Sequence, residues 1–367
     1  MLTWRTKRTT KRRARRTWLV GLAATALVLA GCGGGGEDNE SSGSGDRIPI
    51  TIRSTGPTFT DLVTLVIVAQ DYYTKVGLDA DFEFILASNA ATATQGLIAG
   101  EMDVASGGAG SLFNAYAEGR TELVSLGTAN PAVTFGLAIN NETAQQFAAK
   151  GVTPDSPVDQ RVKALAGTSL ASSPEGSTGQ KYLRIMLSEH GVDPDRDVKL
   201  VPNADNAAQL AAAREGRVNG FANSFPNTNM AEADGWGVLW LNWAVDLPSI
   251  LPLASHEYYT TRKWLDKNPE AAKRLMQALW LAYADLQNPT DELKNKIKNL
   301  EGFKGLNPKG FDLGWELSLG AYKNGTPLTT QEMFDNQVKL VNYGRDKPIT
   351  FGFKDLYDLG PVEAGKP

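Results

Sequence analysis

From Ile48 onward, short strand signals alternate with helical ones along most of the chain, and this alternation restricts the fold more than any other feature. Strands are expected over 48–54 (IPITIRS), 80–87, 102–108, 121–127 and 132–140, with helices over about 61–75, 88–100 and 110–118 between them. Gly77 and Gly100 stand where two of these helices should stop. A polar, turn-rich stretch over 141–162 reads as a boundary, after which the alternation restarts. Strands follow over 167–173, 197–203, 217–224, 236–245 and 250–260, with helices over 177–191 and about 205–215. The rest is mostly helical; within 262–287, Leu275, Leu279, Ala282 and Leu286 keep the spacing of one helix face. Such short βα units demand mainly parallel sheets with right-handed crossovers. Two blocks predict an α/β protein of two lobes, with ligands held at the carboxyl ends of strands in the cleft between them.

The N-terminus is of another kind. Eight basic side chains and no acid precede Trp18, and an apolar run follows over 18–31, shorter than the ~20 residues that span a bilayer. This is the design of an export signal. It ends in Leu29-Ala30-Gly31-Cys32, small residues before a Cys, as lipoprotein signal peptidase requires; Cys32 is also the only Cys in the chain. Residues 1–31 are therefore expected to be removed and Cys32 to carry lipid, which anchors the protein at the outer face of the cell membrane. Arg15-Arg16-Thr17-Trp18-Leu19 also resembles a twin-arginine export signal. The segment 32–46, Gly, Ser and acidic after the Cys, reads as a flexible tether.

Subtracting the eight basic charges from the net charge of −4 leaves −12 for the processed chain, a poor balance for binding nucleic acid. There are two histidines. His190 falls at a helix end and His256 on a strand, where Ser255 and Glu257 point to the opposite face and so form no relay with it. No zinc-protease helix, metal-spaced acidic cluster, nucleophile elbow or phosphate loop is present. A catalyst, a cofactor and a metal are not expected.

Binding signals lie instead at strand ends. Ser54-Thr55-Gly56, Ser88-Asn89, the run from Ser106 to Ser111, and the run from Ser172 to Thr178 each place small or hydroxyl residues before a helix. Helix N-termini offer N–H groups to polar ligand atoms, and glycines permit close approach. Four stretches carry a family resemblance: DYYTKVGLDADFEFI, NAATATQGLIAGEMDVASGGAGSLFNAYAEG, LAGTSLASSPEGSTGQKYLRIML and NAAQLAAAREGRVNGFANSFP. In order and spacing they resemble the solute-binding proteins of ABC importers for sulfonates, nitrate, taurine and thiamine precursors. Gly77-Leu78-Asp79, then Leu97, Gly100 and Asp103, and later Gly176-Ser177-Thr178 match that family's pattern.

The resemblance implies a two-lobed, type II periplasmic-binding-protein-like fold, with 47–138 and 252–367 forming lobe 1 and 139–251 lobe 2. It implies a ligand site made by Ser54, Thr55, Thr58 and Phe59, by Ser88, Asn89, Gly107 and Gly108, by Thr134, and by Ser177, Thr178, Asn223, Ser224 and Phe225. It further implies a monomer that captures a small organic molecule, sulfonate- or taurine-like or a thiamine-precursor-like heterocycle, closes on it by hinge motion and delivers it to a membrane permease. A ligand-sensing lipoprotein and a thiamine-pyrimidine synthase are the alternatives. Two features depart from a sulfonate site. The loops hold no Lys or Arg except Arg53 while Glu175 adds negative charge, and amides (Asn89, Asn203, Asn206, Asn223, Asn227) and aromatics (Phe59, Phe225, Trp243, Tyr258) lie near strand ends. Those groups suit a neutral planar ligand.

Overall fold

A computed structural model describes residues 47–85 and 90–367; the expected signal segment, Cys32, the tether, Ser88 and Asn89 lie outside the described residues. Among the described residues ten strands form two five-stranded sheets. The first holds β1 (Ile48–Thr55), β2 (Leu78–Ile85), β3 (Val104–Gly108), β4 (Leu123–Asn130) and β10 (His256–Thr261), in the order β2-β1-β3-β10-β4. The second holds β5 (Phe135–Asn140), β6 (Ser169–Ser172), β7 (Lys199–Pro202), β8 (Gly220–Ser224) and β9 (Gly237–Asn242), in the order β7-β6-β8-β5-β9.

Both sheets are mainly parallel, and each has one antiparallel strand: β10 against β3 and β4, and β5 against β8 and β9. The cause is the path of the chain. These are the two strands that arrive from the other lobe, so each begins at the cleft where its neighbours end. The division expected between 138 and 139 therefore falls inside β5, which pairs wholly within the second sheet; the crossing lies at 131–134. The stretch 141–162, read as a boundary, instead forms the helices Asn141–Ala148 and Val158–Lys163 of the second lobe.

Local signals account for most elements. In β1, Ile50, Ile52 and Ser54 point inward while Arg53, on the other face, pairs with Asp81 and Glu83 of β2 at 3.3 and 3.6 Å. Gly77 and Gly191 end their helices at φ of 80° and 75°, a region that a Cβ disfavours. The expected strand over 236–245 stops at Asn242, whose side chain accepts from Ala244 N and caps the short helix Trp243–Asp246. The long helix expected over 262–287 is two, Arg262–Lys267 and Pro269–Gln287, because Pro269 cannot continue the first and suits the first turn of the second. The second buries Leu275, Leu279, Ala282 and Leu286, as their spacing requires. Each leucine so buried stabilises the fold by about 1.5–3 kcal/mol.

The C-terminal helices do not belong to the first lobe alone. In the helix Gln331–Asn342, Phe334 and Val341 join a cluster of the first lobe while Leu340 joins the core of the second. Lys181 of the second lobe donates to Val341 O at 2.6 Å, and Asn336 donates to Pro252 O at 2.9 Å. The helix Pro308–Leu319 likewise packs on the second lobe, Gly310 against Met230 and Gly314 against Pro226. No helix of the described residues is long and apolar enough to cross a membrane.

Candidate functional site

Between the sheets lies a cavity of about 490 Å³, within the range of small-molecule sites. The topology explains its chemistry. Strand ends of both lobes meet there, and so do the N-termini of three helices: Ala109–Ala117 with Gly108, Thr178–Glu189 with Gly176 to Gly179, and Asn206–Arg214 with Asn206. These termini present N–H groups and positive dipole ends to the interior.

Hydroxyl groups dominate the lining: Thr55, Thr58, Thr60, Thr94 and Ser111 from the first lobe, Thr134 and Ser255 from the crossings, and Ser173, Ser177, Thr178 and Ser224 from the second lobe. Gln95, Asn114, Asn206 and Asn223 supply amides, and Phe135 and Tyr182, packed edge to face at 5.7 Å, form an aromatic wall. Glu118 and Glu175 stand exposed at the rim, one on each lobe. Among the described residues no Lys or Arg lines the cavity. Arg53 is held by β2, and Arg345 touches the site only through Asn114, donating to its Oδ1 at 2.6 Å.

Of the residues singled out in the sequence, Thr55, Thr58, Gly108, Thr134, Ser177, Thr178, Asn223 and Ser224 line this cavity. Four others do not. Ser54 faces the opposite way from Thr55, as alternate strand residues do, and donates to the buried Asp61. Phe59 is wholly buried against Phe303, Phe311 and Trp315. Gly107 lies on β3 beside Tyr259, and Phe225 is a core side chain whose backbone ties the lobes together. Trp243 and Tyr258 are also fully buried outside the lining, so the aromatic faces of the site are Phe135 and Tyr182 instead. Asn203 does not line the cavity; its Oδ1 accepts from the N–H of Asp205, the cap of the next helix, and Asn227 donates to Asn223.

Asn223 is itself fixed: its amide donates to Asn206 and Gln209, and its Oδ1 accepts from Ser224 N at 2.8 Å. Ser177 caps its helix by accepting from Gln180 N. The crossings are equally well tied. Asn130 donates to Thr60 O and Thr134 Oγ1, Phe59 N donates to Phe225 O, and Phe225 N donates to Thr134 O. At the far edge the lobes touch, for a Cβ on Gly110 would collide with Thr178 Oγ1.

His256, expected to be structural, is the first residue of β10 and lines the cavity floor. Its Nε2 lies 3.3 Å from Thr55 Oγ1 and 3.7 Å from Asp61 Oδ1. Burial pushes its pKa down to about 3, so the ring is neutral at ordinary pH. Burial pushes the Asp61 carboxyl well up, against hydrogen bonds from Thr64 and Ser106. The starting signal for His256 was its place at the entry of a returning strand, which a strand pattern alone does not show. His190 ends its helix as expected, 3.4 Å from Asp159. Among the described residues no group of three or more His, Cys, Asp or Glu could hold a metal ion.

Comparisons with known proteins agree with this architecture. Residues 57–298 match the model of the NMT1-like family. The nitrate-binding protein NrtA of Synechocystis PCC 6803 is similar in structure with a TM-score of 0.64 and 16% identity, over 87% of this chain and 88% of NrtA. The aliphatic sulphonate-binding protein SsuA of Escherichia coli gives 0.60 and 16%, over 81% and 91%. A point mutant of DSZB, in complex with biphenyl-2-sulfinic acid, gives 0.60 and 13%, over 87% and 99%. At these identities the likeness shows a shared two-lobed fold of the type II periplasmic-binding kind. No curated protein matches the chain in sequence.

Proposed function

Because the chain belongs to the NMT1-like family, we propose that it is the extracytoplasmic solute-binding protein of an ABC importer. It captures a small organic molecule, taurine- or sulfonate-like or a thiamine-precursor-like heterocycle, and delivers it to a membrane permease. One observation carries this reading: a polar cavity of about 490 Å³ lies where both lobes, three helix N-termini and both crossings converge. A ligand that touches both lobes favours their closed arrangement over any open one. The likeness to NrtA and SsuA supports the reading through the fold. In this proposal the protein acts as a monomer, without catalysis, and Cys32 carries the lipid that keeps it near its permease.

The division into lobes follows the strands: 47–130 and 256–367 for the first, 135–242 for the second, with helix Gln331–Asn342 bridging them. Of the residues proposed to touch ligand, Thr55, Thr58, Gly108, Thr134, Ser177, Thr178, Asn223 and Ser224 remain, joined by Ser111, Asn206, Tyr182 and His256. Thermal-shift screening against taurine, alkanesulfonates, nitrate, thiamine pyrimidines, riboflavin and amino acids tests the reading. A stabilising ligand whose effect is lost on Thr178→Val with Ser111→Ala supports the site. Stabilisation untouched by both changes places the ligand elsewhere.

A further inference from the structure

The helix Gln331–Asn342 buries one stripe, and the centre of that stripe breaks the pattern. Met333, Phe334, Leu340 and Val341 stand three or four residues from Gln337 on either side, so this position faces the interior with them. The spacing asks for an apolar residue there, but the chain places an amide, wholly buried. Among the described residues neither its Nε2 nor its Oε1 has a hydrogen-bond partner. The adjacent Asn336 is the contrast: its amide donates to Pro252 O at 2.9 Å and its Oδ1 accepts from Lys339 at 3.0 Å. An amide left unpaired in the interior is costly, and native proteins rarely keep one.

The place of Gln337 gives that cost a use. Three helices meet around it: Gln331–Asn342 itself, Ala109–Ala117 of the first lobe and Thr178–Glu189 of the second, each packed on the other two. Phe334 packs on Phe113 of the first-lobe helix at 5.5 Å, and Lys181 of the second-lobe helix donates to Val341 O. The same Cβ on Gly110 that would collide with Thr178 would stand 4.0 Å from Gln337 Nε2, so the amide lies beside the point where the lobes touch. When two of three mutually packed helices part, the third keeps at most one of them. Parting of the lobes therefore opens the seam around Gln337 and lets water reach its amide.

We infer that Gln337 is an opening device: its amide is unsatisfied while the lobes are closed and hydrated once they part, which holds the empty protein away from full closure. This rests on the reading of two lobes that close on a ligand, and adds what opposes their closure. Amide hydrogen bonds left unmade in the closed form favour the open one by about tenfold or more. Ligand contacts to both lobes must outweigh that bias. Apparent affinity is then lower, and release at the permease easier, than the cavity alone would give.

The test is a pulsed electron-spin distance measurement on the purified, unliganded chain in a Cys32→Ser background. Nitroxides are placed on Arg120→Cys of the first lobe and Arg214→Cys of the second, both exposed. With Gln337 in place, a longer separation is expected beside the short one of the structure. Gln337→Met, which keeps the length and removes the amide, should cut the ratio of long to short about tenfold. Gln337→Glu, which puts a charge in the same seam, should raise it. The melting temperature separates this from a structural role: Gln337→Met leaves it unchanged or raised, whereas a lost structural hydrogen bond would lower it. A ratio that Gln337→Met does not reduce, or a melting temperature that it lowers, overturns the inference and spares the binding-protein reading. A single short separation shared by all three forms counts against both.

Discussion

Glu257 offers a test of the packing that is independent of any ligand. It follows His256 on β10 but faces the other side of the sheet, wholly buried, where Tyr357 donates to its Oε1 and Oε2 has no partner. Burial pushes its pKa from 4.5 up to about 7. A carboxyl whose pKa is raised on folding holds its proton longer in the native state. The stability linked to it is fully present below pH 4.5 and is lost as the pH rises through about 7. At about 1.36 kcal/mol per pH unit, the loss by pH 8 is about 3 kcal/mol. Glu257→Gln keeps an acceptor for Tyr357 and removes the titration. Urea unfolding of both proteins at pH 5 and pH 8 reads the difference. The variant's advantage should grow by about 3 kcal/mol between the two, or about 1 M in midpoint for a slope near 3 kcal/mol/M. Curves that keep a constant separation would refute the claim that this carboxyl is buried without a compensating charge.

Three further outcomes follow from the structure. His256 works with the opposite sign: its pKa is depressed, so stability falls as pH drops below 6.5, and His256→Asn should spare about 3 kcal/mol of the loss between pH 6.5 and 4 in the same unfolding assay. Arg161 grips Asp246 with two hydrogen bonds of 2.6 and 3.0 Å and donates to Trp240 O at 2.7 Å, in a half-closed setting. Arg161→Ala leaves Asp246 unpaired and should cost about 3–5 kcal/mol in unfolding free energy. Cys32→Ser should release the protein from the membrane into the medium while ligand affinity, measured on the released protein, stays the same.

Much of this fold was legible because its signals are local. Gly77 and Gly191 stop helices by backbone conformation, and Leu275, Leu279 and Leu286 mark a buried face by spacing. What was not legible depends on the partner lobe. Nothing within FGLAIN shows that β5 pairs with β8 and β9 rather than with the strands before it. Alternation places Ser54 and Thr55 on opposite faces, but not which face meets the cavity. Phe59 and Phe225 sit near strand ends and look like lining residues; the C-terminal helix with Phe311 and Trp315 covers Phe59, and distance in sequence hides that contact. The same distance hid His256, which reaches the floor only because the chain returns from the second lobe at that point.

The central claim is that the interlobe cavity takes one small molecule and returns it unchanged. Titration of the purified chain with the tightest ligand from screening, followed by recovery and mass analysis of that ligand, tests it most directly. One site per chain, abolished by Ser111→Trp, which fills the cavity from the first lobe, and a ligand of unaltered mass are the predicted results. Binding that survives Ser111→Trp, or a ligand recovered as a different molecule, would contradict the account.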